Sequence, residues 1–180
     1  MPMFADGTVR GNRFTLAAGV LAALGLVGTG CASANRATDR ASFVVVRHAE
    51  KATDDPRDPS LSDAGHARAA ALAARFDTGL DAVYATQFKR TQQTAQPAAA
   101  GHGIAVSTYD ADTPAAEFAA RLRSAHPRGT VLVVGHSNTV PGIVAALCAC
   151  TVAPMRDDEF GTLYRVEPGA DGVRLRREDY

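Results

Sequence analysis

Two histidines and two arginines stand in this chain where they could do chemistry on an anion. Arg47-His48 and Gly135-His136-Ser137 each follow a short run of β-branched residues, and Arg90 lies just beyond Thr86. A neutral imidazole is a competent nucleophile near neutral pH, because its reference pKa of about 6.5 leaves one ring nitrogen unprotonated. Guanidinium groups grip tetrahedral anions through bidentate, charge-assisted bonds. Transfer of a phosphoryl group asks for little beyond in-line positioning and stabilisation of charge on three non-bridging oxygens. The set therefore fits a phosphate ester, with His48 as nucleophile and Arg47 and Arg90 as the clamp. A charged His136 would donate hydrogen bonds to the pentacoordinate species, worth on the order of 3 kcal/mol for one well-placed donor. Thr86 is a candidate substrate contact, and Ser137 either donates to phosphate or caps the helix that follows.

These side chains can meet only if separate strands deliver them to one edge. From Ser42 onward, short β-branched runs alternate with Ala-rich amphipathic stretches, the rhythm of βα units around a largely parallel sheet. Strands are expected at Phe43 to Val46, Asp81 to Ala85, Ile104 to Ser107 and Thr130 to Val134. The last has continuous Val/Leu content, which implies a central strand buried on both faces. Helices are expected from Ser62, as N-cap, to about Phe76, then Phe88 to about Ala100, Pro114 to about Ala125 and Pro141 to Cys148. Thr162 to Val166 and Val173 to Arg177 alternate around Pro168, Gly169, Asp171 and Gly172, so an antiparallel hairpin should close one sheet edge. Ligands of open parallel sheets gather at the carboxyl ends of the strands. Arg47, His48 and His136 fall at such ends, and the second strand leads through Thr86 into the helix that bears Arg90.

Arg47-His48-Ala49-Glu50, the stretch Thr86 to Thr94 around Arg90, and Gly135-His136-Ser137 resemble the histidine phosphatase superfamily, in order and at family spacing. Leu61-Ser62 with Gly65 resemble its small phosphohistidine-phosphatase-like and phosphoglycerate-mutase-like members. The resemblance covers about residues 43 to 166. It implies an α/β fold, a three-layer α/β/α sandwich, with His48 the residue phosphorylated, and with Arg47, Arg90 and His136 forming the phosphate pocket. It implies neither metal nor cofactor. Ala49 stands where members often have Gly, and Ser is common where Thr86 stands. Longer mutase-type members carry a proton-donating Glu in an insert that this chain lacks. Asp110 is the leading substitute as general acid, with Asp112 beside it and Glu117, inside a helix, a poorer choice. The expected activity is hydrolysis of a phosphorylated small molecule or phosphoprotein through a phosphohistidine. The alternatives are a non-catalytic module that binds phosphorylated ligands and a phosphoglycerate-type mutase.

Composition narrows the partners. The 180 residues carry no net formal charge, and from Ser42 onward 15 basic residues face 17 acidic ones, so nothing suggests nucleic acid binding. Arg10 and Arg13 precede an apolar run from Phe14 to Val27, too short to span a bilayer comfortably, which reads as an export signal. Cleavage before Cys31, as in a bacterial lipoprotein, competes with cleavage after Ala34; the first, preferred, would attach the chain to a membrane through lipidated Cys31. The expected organisation is a signal over 1–34, a linker over 35–42 and a catalytic domain over 43–180. The domain would be monomeric, and periplasmic or membrane-anchored. Lys51 and the Asp54, Asp55, Asp58 cluster read as a solvated loop, and His66, His102 and His126 as residues without a role. Cys148 and Cys150 read as buried thiols, because residues two apart on a helix point in different directions.

Overall fold

The computed structural model describes residues 40–180. The expected signal over 1–34, which includes Cys31, and residues 35–39 of the expected linker lie outside the described residues. The strands are β1 (Ser42–Arg47), β2 (Ala82–Thr86), β3 (Val106–Tyr109), β4 (Thr130–Gly135), β5 (Thr162–Gly169) and β6 (Gly172–Asp179). The helices are α1 (Asp63–Ala73), α2 (Lys89–Gly101), α3 (Ala115–Ala125) and α4 (Val140–Cys148). One six-stranded sheet has the order β3-β2-β4-β1-β5-β6, with the first four parallel and the last two antiparallel.

Strand alternation sorts the core into two layers. Phe43, Val45, Val131 and Val133 face α3 and α4 with Phe118, Leu122, Ile143 and Leu147. Val44, Val46, Leu132 and Val134 face α1 and α2 with Leu72, Phe76, Ala95 and Ala99. The result is the expected α/β/α sandwich, with Val131 to Val134 fully buried between β2 and β1. Each such Val or Leu contributes roughly 1.5–3 kcal/mol through burial.

Contacts at the ends of β1 and α1 place the chemistry. The β1–β4 register sets Arg47 beside Gly135, and His48 N–H donates to the Gly135 carbonyl at 2.9 Å, so His48 and His136 emerge side by side. The Ser62 Oγ accepts from Gly65 N–H at 3.2 Å, the expected cap of α1. Gly65 is required there because a Cβ would run into the Glu50 carbonyl oxygen, and α1 lies that close to the chain just after His48. A bidentate Arg68–Glu50 pair, with contacts of 2.9 and 2.6 Å, fastens the same segment.

Three expectations need correction. β3 begins at Val106 rather than Ile104, because Gly103 at φ 67 and the Ile104 N–H bond to Ala99 O consume the preceding residues in closing α2. α1 ends at Ala73, with Arg75 and Phe76 continuing as tighter turns while Phe76 still packs inward. Cys148 and Cys150 form a disulfide rather than two buried thiols. The helix stops at Cys148, Ala149 turns left-handed at φ 53, and the chain folds back to a Cα separation of 5.2 Å, so the helical divergence of side chains does not apply.

Candidate active site

An open cleft of about 570 Å³ lies at the carboxyl ends of β1, β2 and β4. Arg47, His48, Arg90 and His136 all line it, together with Ser137. His48 is only 4 % exposed, and its Nδ1 lies 2.7 Å from the Ala49 carbonyl oxygen. A carbonyl only accepts, so Nδ1 carries the proton and Nε2 keeps its lone pair. The rings of His48 and His136 are 5.3 Å apart at 66°. Behind His48, Ala49 N–H donates to Thr94 Oγ1, which donates in turn to the Arg90 carbonyl, tying the loop to α2.

Thr86 is placed differently from its expected role. It is fully buried, and its Oγ1 lies 3.0 Å from His136 Nε2 and 2.8 Å from Thr91 Oγ1. It holds the imidazole in orientation and does not line the cleft. His136 N–H donates to Thr139 Oγ1 at 3.0 Å, which fixes the turn into α4. Thr139, not Ser137, is the N-cap of that helix, which leaves Ser137 on the cleft wall without a capping bond.

The two arginines are held by different means. Arg47 Nη1 donates to three backbone carbonyls, those of Arg156, Asp157 and Glu159, at 2.9 to 3.1 Å. With two hydrogens for three acceptors, at least one bond is shared. Its guanidinium stacks 4.3 Å over Phe160, and Nε is buried with no partner among the described residues. A buried unpaired donor costs about 1–3 kcal/mol, so the Nε/Nη2 edge is the one suited to two oxygens of an anion. Arg90 stacks 4.3 Å over Phe88 and lies 3.6 Å from Asp58 Oδ1. That same oxygen accepts from Lys89 N–H and caps α2 from another loop. The acidic loop read as solvated thus orients Arg90. Phe88, Phe160, Asp58 and the 156–160 segment have no periodicity or motif to reveal them in the sequence.

Of the acid candidates, Asp112 lines the cleft and Asp110 does not. Asp110 Oδ1 accepts from Asp112 N–H at 3.0 Å, which spends it on its own turn, and its residue borders a separate hollow beside α3. Lys51, Ala111, Asn138 and Asp157 complete the cleft wall. Among the described residues, no three His, Cys, Asp or Glu side chains group as metal ligands would.

Burial, reinforced by the neighbouring imidazole and guanidinium groups, lowers His48 to about 3. Burial and the guanidiniums of Arg90 and Arg47 lower His136 to about 4. Without an anion, then, His136 is neutral at pH 7; the charge expected of it beside a phosphate requires the bound dianion to draw its pKa back up. The sign is that of depressed bases: the native state holds both rings neutral, and stability falls as pH drops below the unfolded value of about 6.5. Histidine NMR titration of the anion-free protein should show both rings neutral down to about pH 5. Protonation of either near pH 6.5 would contradict this arrangement.

Residues 43–112 match the model of the histidine phosphatase superfamily (branch 1), a stretch that contains Arg47, His48 and Arg90 and ends before His136. No curated protein matches the chain. Among solved structures, the protein histidine phosphatase SixA complexed with tungstate is similar at TM-score 0.57 and 19% identity, over 77% of this chain and 96% of that one. Bacillus stearothermophilus YhfR is similar at TM-score 0.62 and 15% identity, over 77% and 96%. A mycobacterial glucosyl-3-phosphoglycerate phosphatase is similar at TM-score 0.59 and 16% identity, over 78% and 98%. At these identities the likeness establishes the fold.

Proposed function

We propose that the domain is a member of the histidine phosphatase superfamily, whose model matches residues 43–112, and that it hydrolyses phosphomonoesters or phosphohistidine through a phosphorylated His48. The observation that carries this reading is a neutral His48, fixed by Ala49 O so that Nε2 is the free nitrogen, in one cleft with Arg47, Arg90 and His136. In the first step Nε2 attacks phosphorus as the ester oxygen leaves. Arg47 and Arg90 neutralise the non-bridging oxygens, and His136, held by Thr86, gains charge beside the anion and donates to it. Water then attacks the phosphohistidine and releases inorganic phosphate, which restores the neutral ring. The SixA and glucosyl-3-phosphoglycerate phosphatase likenesses favour small phosphorylated substrates or phosphoproteins over a mutase reaction.

Asp112 is the general acid in this scheme, since it lines the cleft where Asp110 does not. An alkoxide leaving group needs a proton, whereas a nitrophenolate does not. Asp112→Asn should therefore lower kcat for alkyl phosphates about 100-fold and leave p-nitrophenyl phosphate nearly unaffected. Phosphate-release assays on both substrates test it; equal losses on the two would remove Asp112 from the role. No phosphate release from any ester by the wild type would remove the reading itself.

The place of action follows from the N-terminal sequence alone. Arg10, Arg13 and the apolar run from Phe14 to Val27 support export, and Cys31 supports a lipid anchor on a membrane surface.

A further inference from the structure

The Cys148–Cys150 disulfide closes the C-terminal end of α4, the end remote from His136 to Thr139, and the phosphoryl chemistry makes no use of it. We infer that it is an exchange-active disulfide, a second chemical site that accepts two electrons from an exposed dithiol. Cys150 is exposed and Cys148 half-buried, so a thiolate in solution reaches the Cys150 sulfur. The bond spans a single intervening residue, and so short a loop removes little entropy from the unfolded chain, which makes a purely structural role weak. Ala149, between the two cysteines, stands at φ 53, ψ 42, the one non-glycine residue at positive φ among the described residues. That conformation is unfavourable for a residue with a Cβ, and opening the bond releases it.

The leaving group is also provided for. A helix C-terminus disfavours a thiolate, because the last carbonyls point at it. Here Arg123 Nη2 donates to the Ala146 and Leu147 carbonyls at 2.8 and 2.7 Å, which sets a positive charge at the helix end that carries Cys148. A cation so placed favours the thiolate and speeds its departure. In the exchange, the dithiol's first thiolate bonds to Cys150 Sγ, the Cys148–Cys150 bond breaks, and Cys148 leaves as thiolate and takes up a proton. The dithiol's second thiolate then displaces Cys150, closing the external disulfide. The protein gains two thiols and the dithiol is oxidised.

The test equilibrates the full chain, purified in air, with mixtures of reduced and oxidised dithiothreitol, then traps thiols with iodoacetamide. Peptide mass mapping separates Cys148 and Cys150 from Cys31, and circular dichroism in the same samples follows folding. The inference expects both cysteines to become labelled while the fold is intact. It expects Ala149→Gly to shift the equilibrium towards the disulfide by about five-fold or more, and Arg123→Gln to slow opening several-fold. A bond that opens only on unfolding, or an equilibrium unmoved by Ala149→Gly, would overturn it.

Discussion

Replacing His48 with Ala should lower kcat for phosphate release by about ten-thousand-fold or more while the domain stays folded. Loss of a covalent nucleophile removes the whole two-step route, and losses of that order accompany removal of a residue that acts as part of a unit. The fold should tolerate the change. Among the described residues, His48 makes a single side-chain hydrogen bond, to the adjacent Ala49 carbonyl, and its loss relieves a ring held neutral by burial. The variant should accordingly be less sensitive to acid than the wild type between about pH 3 and 6.5, where the buried ring otherwise opposes folding. A steady-state assay with thermal melts at two pH values reads both effects. Activity within ten-fold of wild type would remove His48 from the mechanism.

Arg47→Gln should be nearly as damaging, for a different reason. One guanidinium supplies the anion-facing edge and also gathers the carbonyls of Arg156, Asp157 and Glu159. Loss of the fork should lower kcat/KM by about 10²–10³-fold, as for one transition-state donor. Loss of the anchor strands three carbonyls and frees Phe160 from its cation, so Tm should fall by several degrees. Arg47→Lys separates the parts. It keeps the charge but lacks the fork geometry, and so should recover little of either effect. Full recovery by Lys would show that charge alone is used.

Legibility in the sequence followed the range of the interactions. β4 was readable because Val131 to Val134 are buried on both faces, and central parallel strands have that composition whatever surrounds them. Arg47, His48, Arg90 and His136 were readable because strand ends converge in such a sheet, and the β1–β4 register brings two of them side by side. The role of the 156–160 segment was not, since it acts through backbone carbonyls that every residue possesses. Asp58 reads only as part of a solvated loop because its partners, Lys89 N–H and Arg90, lie some thirty residues away on another element. The burial of Thr86, which turns its hydroxyl to His136, is a tertiary property that its place in the sequence does not carry. The choice between Asp110 and Asp112 depended on one hydrogen bond within a turn. The disulfide was hidden because helical divergence of side chains does not reach Cys150: α4 ends at Cys148 as expected, and Ala149 turns the chain back.

The most direct test of the central claim is to mix the enzyme with a phosphorus-32-labelled ester, quench within the first turnover and map the label. Acid-labile, alkali-stable phosphate on the peptide that contains His48, absent from His48→Ala, is the predicted result. Rapid phosphate release with no label ever attached to the protein, or label on another residue, would contradict it.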